Sequence, residues 1–553
     1  MDADSLNLLG HNFMTQGQID QALEVFKKAI TANPLLPQSH YNLGVCYMAR
    51  GQYNLAITNY KKALSLSPDN TVILNNIGVT YGKMDKPNFA LKYYKMALKF
   101  EPDNIFALSN IGAIYVNSNP QKAKGYLKKA IKINPHLSDA AFNLGICLGN
   151  LGDMNSIKYF EKAVKLDPYY SPTYGHLYYQ LRKICDWKKA SELEKTINTI
   201  NENNIKDGVL PAQTPFESVV FNDNLKTNFD IARVWSRYIG SQEAKKPYPF
   251  TPKKASEKIR IGFLSADFNN HATAHLILGF FNLHNRKKFE FFVYSHGTND
   301  ESFYRQSFEK ITKFRDIREL SNSEAADLIH QDKIDILVDL KGYTQGSRLE
   351  IIAGRPAPVI VGWLGFPGTT GANFIDYLIT DSVVTPKDHS SYYSENLIFL
   401  PHTYQSTNNQ QEIAMGMTRS NFGLPASPAG GPQEGFLFCS FNQGYKIDPK
   451  TFASWMRILK KVPQSSLCLL GKDELLIKNL KGEAKKAGIN PNRLIFLPNL
   501  AKNMHLARIA CCNLALDTQI CNGHTSTTDC LWAGIPVIAL LETILPPEFL
   551  GVY

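Results

Sequence analysis

The densest group of chemically useful side chains is the segment Cys521-Asn-Gly-His-Thr-Ser-Thr-Thr-Asp529. An apolar run at residues 513–517 precedes it, and a run with helical character at residues 528–533 follows it. Gly523 permits a tight turn, and free amides at a helix start, together with Thr and Ser hydroxyls, can bind a phosphate. The pattern therefore indicates a phosphate site, although a hydroxyl-rich helix cap without a ligand would use the same residue types.

A second segment, Ser440-Phe-Asn-Gln-Gly-Tyr-Lys-Ile-Asp-Pro449, follows another apolar run. Its loop presents Gln443 and Lys446, and Asp448-Pro449 predicts the N-cap and first position of the next helix. A lysine at the carboxyl end of a strand can neutralise a leaving phosphate. An isolated surface lysine is the alternative interpretation.

A third segment, Ser265-Ala-Asp-Phe-Asn-Asn-His-Ala-Thr-Ala-His275, carries two histidines. It forms the first strand-to-helix loop after the predicted strand Ile259–Ser265. His271 lies at the expected helix start, where an imidazole can bond a phosphate or move a proton near pH 7. His271 and His275 are four residues apart and suit a metal ion by spacing, but the sequence shows no third ligand. We therefore expect no metal site.

The segment Ala501-Lys-Asn-Met-His-Leu-Ala-Arg508 places Lys502, His505 and Arg508 at spacings of three, on one helical face. An imidazole can stack on a base while the cations meet ribose or phosphate. A solvated basic face is the alternative. Taken together, the four segments indicate a site for a nucleotide-diphosphate donor.

The elements that position these loops are apolar runs alternating with helical stretches, the pattern of βαβ units in a parallel sheet. The first series of predicted strands is Ile259–Ser265, Phe289–Tyr294, Ile334–Leu340 and Val359–Leu364. The second is Phe436–Phe441, Leu467–Leu470, Leu494–Leu497, Leu514–Asp517 and Pro536–Leu540. We expect two Rossmann-like lobes with a ligand cleft at their carboxyl strand edges. Neither lobe contains GxGxxG, which disfavours a dinucleotide cofactor.

The first third of the chain is a repeat array. Prolines recur 33–34 residues apart at Pro34, Pro68, Pro102, Pro135 and Pro168, each with small and aromatic residues at fixed offsets. Gly44 and Ala56 permit two helices to approach closely, and Tyr47 and Tyr60 fill the space between them. The period predicts about five tetratricopeptide units, an all-α solenoid that stacks because one helix pair cannot bury its apolar face alone.

One column of the repeats is not explained by packing. It consists of asparagines two residues before the repeat glycines: Asn42, Asn76, Asn110 and Asn143. Stacked repeats would align their amides as a ladder that can hold the backbone of an extended peptide. Capping of neighbouring turns is the alternative.

These patterns divide the chain into five parts. We expect a repeat solenoid at 1–195, a linker with a helical segment near Asn228–Ile239 at 196–258, a first lobe at 259–404, an inter-lobe insertion at 405–434 and a second lobe at 435–553.

Composition is ordinary for a multidomain globular protein: 553 residues, 44% hydrophobic and 20% charged. No apolar run reaches the roughly 18 residues of a membrane helix, and Met1–Gly10 lacks the features of a signal peptide. Nine cysteines without a CxxC pair indicate reduced thiols in a cytoplasmic and nuclear protein. The net charge of +11 selects no partner by itself, and we expect neither nucleic-acid nor membrane binding.

The chain resembles the O-linked N-acetylglucosamine transferase family, in which tetratricopeptide repeats precede a two-lobe glycosyltransferase of GT-B type. The motifs that carry the resemblance are Asp267-Phe-Asn-Asn-His271, Ile329-His-Gln-Asp332, Gly342-Tyr-Thr344, Arg355-Pro-Ala-Pro358, Trp363-Leu-Gly-Phe-Pro-Gly368, Phe441-Asn-Gln-Gly-Tyr-Lys446 and Cys521-Asn-Gly-His-Thr525. The resemblance implies UDP-N-acetylglucosamine as donor, with no cofactor, and Ser/Thr hydroxyls of intracellular proteins as acceptors. It implies an inverting, metal-independent transfer.

By the same resemblance, Lys446 stabilises the UDP leaving group and Gln443 contacts the diphosphate. His271 matches a histidine placed beside the donor phosphates, whose role as base is debated, and Asp327 matches another residue proposed in catalysis. The remaining residues that match UDP-binding positions of the family are Leu500, Ala501, Lys502, His505, Arg508, His524, Thr525, Ser526 and Asp529. The asparagine ladder would hold acceptor proteins along the solenoid.

Two rival hypotheses remain: a related protein O-fucosyltransferase that uses GDP-fucose, and a repeat-based adaptor with degenerate transferase lobes. The Asn-Gln-Gly-Tyr-Lys and Asn-Gly-His-Thr forms of the two loops favour the N-acetylglucosamine branch. The family loop before Lys502 usually reads Ala-Pro, where this chain has Leu500-Ala501, and Thr-Thr becomes Thr525-Ser526, which keeps the hydroxyl.

The family pattern also continues well beyond Thr543, whereas Leu545–Tyr553 departs from it. An open parallel sheet would leave apolar faces uncovered. We therefore expect an incomplete second lobe, unstable and weakly active in a chain that ends at Tyr553.

Overall fold

The computed structural model describes residues 1–242, 248–251, 257–425 and 435–539. It contains two compact units, Met1–Tyr170 and Ser171–Tyr553.

The first unit consists of five packed helix pairs, as the repeat period predicts. Its helices are α1 (Ala3–Thr15), α2 (Ile19–Ala32), α3 (Pro37–Ala49), α4 (Tyr53–Leu66), α5 (Thr71–Lys83), α6 (Pro87–Phe100), α7 (Ile105–Ser118), α8 (Pro120–Ile133), α9 (Ser138–Asn150) and α10 (Asn155–Leu166). The expected close approach within each pair is confirmed. A Cβ at Gly44 would lie 2.7 Å from the ring of Tyr60, and one at Gly145 would lie 2.7 Å from the ring of Phe160. The repeats therefore require glycine where a large side chain of the second helix meets the first, an aromatic ring in four repeats and Leu127 in the fourth.

A helical module opens the second unit. Its helices are α11 (Pro172–Lys183), α12 (Trp187–Asp207), α13 (Pro215–Phe221) and α14 (Leu225–Gln242). The predicted boundary at residue 195 therefore differs from the structure, because it falls inside α12 and because α11 and α12 belong to the second unit.

Most of the predicted linker is helical for tertiary reasons. Asn201, in an asparagine-rich stretch read as linker, is 3% exposed. It donates to Gln213 Oε1 over 2.9 Å and accepts from the Ala212 amide over 2.9 Å. These bonds fold the following segment back on α12, a partnership that a local pattern does not reveal. Of the predicted Pro/Lys-rich part at 245–254, only residues 248–251 are described.

The first lobe is a parallel sheet, as predicted. Its strands are β1 (Ile259–Ser265), β2 (Phe289–Ser295), β3 (Lys313–Asp316), β4 (Ile336–Asp339), β5 (Val359–Gly362), β6 (Tyr377–Asp381) and β7 (Asn396–Leu400). Their order is β3-β2-β1-β4-β5-β6-β7, with Phe263 beside Val293 and Val338 in register. Helices α15 (Ala272–Leu283) and α16 (Phe303–Ile311) cover one face, whereas α17 (Asn322–Gln331), α18 (Leu349–Ala353) and α14 cover the other.

Three strands of this sheet, β3, β6 and β7, escaped the sequence prediction. The strands β3 and β7 lie at the two edges, where the residues are polar or partly exposed. Edge strands do not need the continuous apolar run that marks a strand buried on both faces.

The second lobe has the same winding. The described strands are β8 (Leu437–Ser440), β9 (Ser466–Leu470), β10 (Leu494–Leu497), β11 (Leu514–Leu516) and β12 (Val537–Ile538), in the order β10-β9-β8-β11-β12. Helices α19 (Pro449–Lys461) and α20 (Glu474–Lys486) pack on one face, and α21 (Lys502–Ala510) and α22 (Thr525–Trp532) on the other. The end of the last predicted strand at Leu540, and residues 541–553 on which the expectation of an incomplete lobe depends, lie outside the described residues.

The connection between the lobes packs along the second lobe. Gln405 donates to Thr528 Oγ1 over 2.7 Å, and Arg419 donates to the Cys511 carbonyl over 3.1 Å. Leu424 is buried in the core that contains Cys439 and Ile509. Residues 405–425 of the predicted insertion are thus an ordered connection, and residues 426–434 lie outside the described residues.

Both sheets change winding direction beside their first strand. In the first lobe β1 lies between β2 and β4, and in the second lobe β8 lies between β9 and β11. Ligands of such sheets bind outside the carboxyl ends of the strands at this switch point. The loops after β1, β4, β8 and β11 are therefore the places to look for a site.

Candidate functional site

The two switch-point loops of the second lobe are joined through Lys446. This lysine lies in a 3-10 turn, Gly444–Lys446, directly after β8. Its Nζ donates to the carbonyl oxygen of Asn522, in the loop after β11, over 2.6 Å. Gln443 precedes the turn and is exposed. The structure therefore places the predicted lysine at the edge where a phosphate would bind, and the alternative of an isolated surface lysine is wrong.

Asp517 organises the loop after β11, and the sequence analysis did not single it out. Its Oδ1 accepts from the amide of Gly523 over 2.8 Å and from the side chain of Asn442 over 3.0 Å. Its Oδ2 accepts from the hydroxyl of Thr527 over 2.9 Å. Burial raises the pKa of Asp517 above its ordinary value, while the amides of Gly523 and Thr518, the Lys446 ammonium and the Thr527 hydroxyl oppose the rise. A carboxylate at the last position of a predicted strand is the signal that could have identified it.

The helix α22 begins at this loop with His524 as its N-cap, and no side chain caps the helix there. The amides of Thr525 and Ser526 therefore lie at an uncapped helix start, the geometry of an anion site. The hydroxyl of Ser526 donates to Asn442 Oδ1 over 2.8 Å. Burial and then the nearby ammonium of Lys446 lower the pKa of His524 to about 3. His524 is therefore neutral near pH 7.

The three residues on the face of α21 have distinct surroundings. Lys502 forms an ion pair with Asp529 of α22, and both side chains are largely buried. Arg508 is 1% exposed. It donates to the Pro498 carbonyl over 2.6 Å and to His505 Nδ1 over 2.6 Å. A solvated basic face is therefore wrong for this helix.

His505 is held by its neighbours in one orientation. Its ring meets the edge of Phe441 at a centroid distance of 5.1 Å, and Arg508 lies over the same Phe441 ring at 4.8 Å. Burial, followed by the charges of Arg508 and Lys502, lowers the pKa of His505 to about 3. Leu500 is 40% exposed, and Ala501 forms the N-cap of α21. A neutral ring beside an accessible backbone suits stacking on a base.

The switch point of the first lobe contains a buried ion pair. Lys341, which follows β4, donates to both carboxylate oxygens of Asp267 over 2.9 Å. Only 4% of the Lys341 side chain is exposed. Burial raises the pKa of Asp339, the last residue of β4, to about 6. Lys341 was missed from the sequence, although it stands between the end of a predicted strand and a motif glycine.

His271 lies beside this ion pair, at the N-cap of α15. Its Nδ1 accepts from the Thr273 amide over 3.2 Å and lies 3.4 Å from Asp267 Oδ2. The side chain is 48% exposed. Packing against the protein lowers the pKa of His271, Asp267 raises it, and Lys341 lowers it. An Nδ1 that accepts leaves the proton of the neutral ring on Nε2, the donor form.

His275 does not pair with His271 as a second ligand of a metal ion, because the two rings have different partners. It bonds Asn270 Oδ1 over 2.9 Å and packs on Tyr304 at 4.4 Å. Burial lowers its pKa to about 3, with contributions from Lys502 of the second lobe and then His271. Among the described residues, no group of three or more His, Cys, Asp and Glu side chains is arranged to hold a metal ion.

Asp327 lies apart from these loops. It is exposed in the middle of α17, where it accepts a hydrogen bond from the Tyr248 hydroxyl over 2.5 Å. The loops after β1, β4, β8 and β11 lie at the carboxyl ends of strands. Asp327 instead lies one and a half turns into α17, the helix between β3 and β4. The structure therefore does not bring it together with His271 or Lys446 through any contact of the described residues.

The asparagine column falls on the first helix of the second to fifth repeats, and all four side chains are half-buried. Asn42 donates to Asn7 over 3.3 Å and Asn76 donates to Tyr41 over 3.2 Å, in each case to the preceding repeat. Asn110 and Asn143 occupy the same position on α7 and α9. Two members of the column, Asn42 and Asn76, therefore contact the preceding repeat rather than cap a helix.

No helix in residues 1–242, 248–251, 257–425 and 435–539 combines the length and the apolar character needed to cross a bilayer.

Two Rossmann-like sheets with phosphate-type loops at their switch points define the class of GT-B folds. The family model for glycosyl transferase family 41 matches residues 184–420 and 406–547. Tetratricopeptide repeat models match residues 10–49, 37–70, 72–104 and 138–170. The chain belongs to glycosyl transferase family 41 and carries tetratricopeptide repeats before its two α/β lobes, as the motifs predict.

Curated proteins with sequence similarity to this chain are named as glycosyltransferases. The chain is 36% identical over 374 residues to a probable UDP-N-acetylglucosamine–peptide N-acetylglucosaminyltransferase, SEC, of Arabidopsis thaliana, covering 66% of this chain and 38% of the relative. It is 27% identical over 478 residues to the UDP-N-acetylglucosamine–peptide N-acetylglucosaminyltransferase of Caenorhabditis elegans, covering 65% and 41%. The chain thus spans about two fifths of the length of these relatives.

A solved structure shows the same architecture. A mutant of the Thermobaculum terrenum O-GlcNAc transferase superposes with a TM-score of 0.59 at 23% identity, covering 86% of this chain and 84% of that chain. At this identity the likeness concerns the fold, which confirms a helical array followed by two α/β lobes.

Proposed function

We propose that this chain transfers N-acetylglucosamine from UDP-N-acetylglucosamine to Ser and Thr hydroxyls of proteins, with inversion and without a metal ion or cofactor. The observation that carries the proposal is Lys446. Its ammonium lies 2.6 Å from the Asn522 carbonyl, beside the uncapped start of α22. A fixed cation and helix amides at one point stabilise the negative charge that develops on a leaving diphosphate.

The proposed donor site extends from this point along the second lobe. Lys446 and Gln443 meet the diphosphate, together with the helix start at His524, Thr525 and Ser526. Neutral His505 stacks on the uracil ring, against the backbone of Leu500 and Ala501. Lys502, held by Asp529, meets the ribose, and buried Arg508 orients His505.

His271 is better suited to donate a hydrogen bond than to act as a base that removes a proton. The Thr273 amide occupies its Nδ1, so the neutral ring carries its proton on Nε2 and can donate it in a hydrogen bond. We therefore assign His271 to a hydrogen bond with the donor phosphates. Asp327 remains a predicted catalytic residue by resemblance, and its pairing with Tyr248 gives no support for that role.

Acceptors in this proposal are extended, Ser/Thr-containing proteins held along the repeat solenoid. Support comes from the aligned amides at Asn42, Asn76, Asn110 and Asn143, which can bond a peptide backbone regardless of its sequence. Replacing all four with Ala is expected to raise KM for a long acceptor protein while leaving UDP affinity unchanged. The control is Asn59→Ala, a half-buried asparagine of α4 outside the column, whose amide bonds the Leu55 carbonyl of its own helix. An unchanged KM for the long acceptor contradicts this role.

We place the reaction in the cytoplasm and nucleus. Support comes from the nine cysteines, which are all free and, apart from Cys511, buried. A chain adapted to an oxidising compartment uses such residues in disulfides.

The test is transfer of labelled N-acetylglucosamine to a Ser/Thr-rich peptide by the wild type, Lys446→Met and Lys450→Met. Lys450 is an exposed lysine four residues further on and serves as the matched control. Lys446→Met is expected to lower the transfer rate by about 10²-fold or more, whereas Lys450→Met should transfer normally. Binding of GDP in place of UDP would establish the O-fucosyltransferase hypothesis instead, and binding of neither nucleotide would favour the adaptor hypothesis.

A further inference from the structure

The turn that joins α11 to α12 lies directly on the loop that carries Lys446. A Cβ at Gly444 would lie 2.5 Å from the Lys183 carbonyl oxygen, so the two backbones touch at this glycine. The residues involved are 259 or more positions apart in the chain. The helical module thus forms one wall of the lysine loop.

Two hydrogen bonds from this turn reach carbonyls on either side of Lys446. The Cys185 thiol donates to the Gly444 carbonyl over 3.4 Å, and the Trp187 indole donates to the Ile447 carbonyl over 3.2 Å. Cys185 is 2% exposed. The two bonds fix the backbone before and after the lysine. They thereby fix the position of the Cα atom from which the lysine side chain extends.

Aromatic rings hold the residue next to the lysine. Tyr445 lies 5.3 Å from Tyr179 of α11 and 6.3 Å from Phe216 of α13, measured between ring centroids. The helical module therefore contacts Gly444, Tyr445 and Ile447, which precede and follow Lys446 in the chain.

The turn is itself fixed to the second lobe. Asn479 of α20 donates to the Ile184 carbonyl over 2.9 Å, and Trp187 packs on Phe452 at 5.4 Å. Cys185 has a positive φ of 53°, a conformation that a residue other than glycine keeps only where its surroundings enforce it. A strained turn held from both sides is a rigid support.

We propose that residues Ile184–Trp187 are a positioning element for Lys446, with Trp187 as its main hydrogen-bond donor. The proposal rests on the proposed function, because it concerns the leaving-group lysine of the transfer. The turn does not touch the donor. It sets the lysine loop so that the ammonium meets the diphosphate, and donor affinity therefore depends on the helix pair that follows the fifth repeat in the chain.

The first test compares UDP affinity and steady-state kinetics of the wild type, Trp187→Phe and Trp235→Phe. Phenylalanine keeps an aromatic ring but removes the indole donor. Loss of one neutral hydrogen bond that positions the lysine is expected to weaken UDP binding about fivefold and to lower kcat by a similar factor. Trp235 makes the same kind of bond, to the Gln213 carbonyl over 3.0 Å, within the same helical module. Trp235→Phe is expected to leave UDP affinity and kcat unchanged.

A double-mutant cycle separates positioning from general stability. If Trp187 acts through Lys446, Trp187→Phe has no effect on UDP affinity once Lys446→Met is present. Asn479→Ala, which frees the turn from the opposite side, provides a second variant and is expected to weaken UDP binding in the same direction. An equal loss in both lysine backgrounds, or a loss matched by Trp235→Phe, would overturn the proposal. A wild type that does not bind UDP refutes the proposed function, and this inference falls with it.

Discussion

The ammonium of Lys446 donates to the carbonyl oxygen of Asn522 over 2.6 Å, which ties the loop after β8 to the loop after β11. These two strands are adjacent in the sheet, with Phe438 paired to Leu514, although about 75 residues separate them in sequence. The bond places a cation at the point where an incoming diphosphate would meet the amides of α22. The neighbouring groups that hold this arrangement can be tested one at a time.

The carboxylate of Asp517 is expected to be essential to the phosphate loop. Asp517→Ala leaves the Gly523 amide, the Asn442 amide and the Thr527 hydroxyl without their acceptor. Unpaired buried groups cost roughly 1–3 kcal/mol each. We expect a loss of several kcal/mol in the free energy of unfolding, roughly 3 or more, and at least a tenfold loss of UDP affinity.

Urea unfolding and UDP titration measure these two effects. Asp473→Ala is the control, because Asp473 caps α20 through the amides of Leu475 and Leu476. It should cost about 1 kcal/mol and leave UDP affinity intact. Full UDP affinity in Asp517→Ala would show that the loop does not depend on this carboxylate.

The buried pair of Lys341 and Asp267 is expected to stabilise the first lobe only as a pair. Lys341→Met leaves Asp267 charged and unpaired in a site where its partner is 4% exposed, which costs about 3–5 kcal/mol. Adding Asp267→Asn removes that charge and should recover part of the loss. Urea unfolding followed by tryptophan fluorescence measures both variants.

The exposed pair of Lys313 and Glu290 offers a contrast in the same sheet. The Lys313 side chain is 51% exposed, so Lys313→Met should change the free energy of unfolding by less than about 1 kcal/mol. Equal losses for Lys313→Met and Lys341→Met would contradict the part played by burial.

Two glycines of the repeats should respond in opposite directions to alanine. A Cβ at Gly44 meets the Tyr60 ring at 2.7 Å, so Gly44→Ala is expected to destabilise the repeats by about 1–3 kcal/mol. Gly82 lies within α5, and a Cβ there meets no atom within 4 Å. Gly82→Ala should stabilise α5 by roughly 0.5–1 kcal/mol.

Hydrogen exchange of the repeat helices in the full chain resolves the two effects, because it reports on each helix separately. Faster exchange after Gly82→Ala, or unchanged exchange after Gly44→Ala, would contradict the packing of the first unit.

His524 should make the second lobe less stable in acid. Its pKa is about 3 in the folded protein, against an ordinary value of 6.5. Between these two pH values the unfolded chain binds a proton that the folded chain does not, so the free energy of unfolding falls as the pH falls below about 6.5. His524→Asn is expected to reduce this slope by up to about 1.4 kcal/mol per pH unit.

Unfolding curves of the wild type and His524→Asn between pH 4 and 8 measure the difference. The two should run parallel above the ordinary histidine value, where neither state of His524 is protonated. A constant offset over the whole range would mean that His524 titrates alike in the folded and unfolded chain. In that case the lowered pKa would be wrong.

Much of the architecture could be read from the sequence because it depends on short-range patterns. The repeat period records the contact of Gly44 with Tyr60, which lie 16 residues apart in one helix pair. Central strands such as β1 contain an apolar run, residues 261–264 in this strand, because both faces of the sheet are covered. The loops with Lys446 and His524 could be singled out as candidate phosphate sites because each carries its possible donors within a few consecutive residues.

Only the tertiary structure decided which of these groups meet and what holds them. Asp517 gains its role from donors in two different loops. Lys341 gains its role from an ion pair with Asp267, which lies 74 residues away in the chain. Arg508 lies three residues after His505, a spacing that would also suit a solvated basic face, but the fold buries it against Phe441. The turn at Ile184–Trp187 reaches the lysine loop across about 260 residues. The physical reason is that a local pattern fixes the type of element and its chemical groups, whereas burial, ion pairing and long-range hydrogen bonds arise only when distant segments pack together.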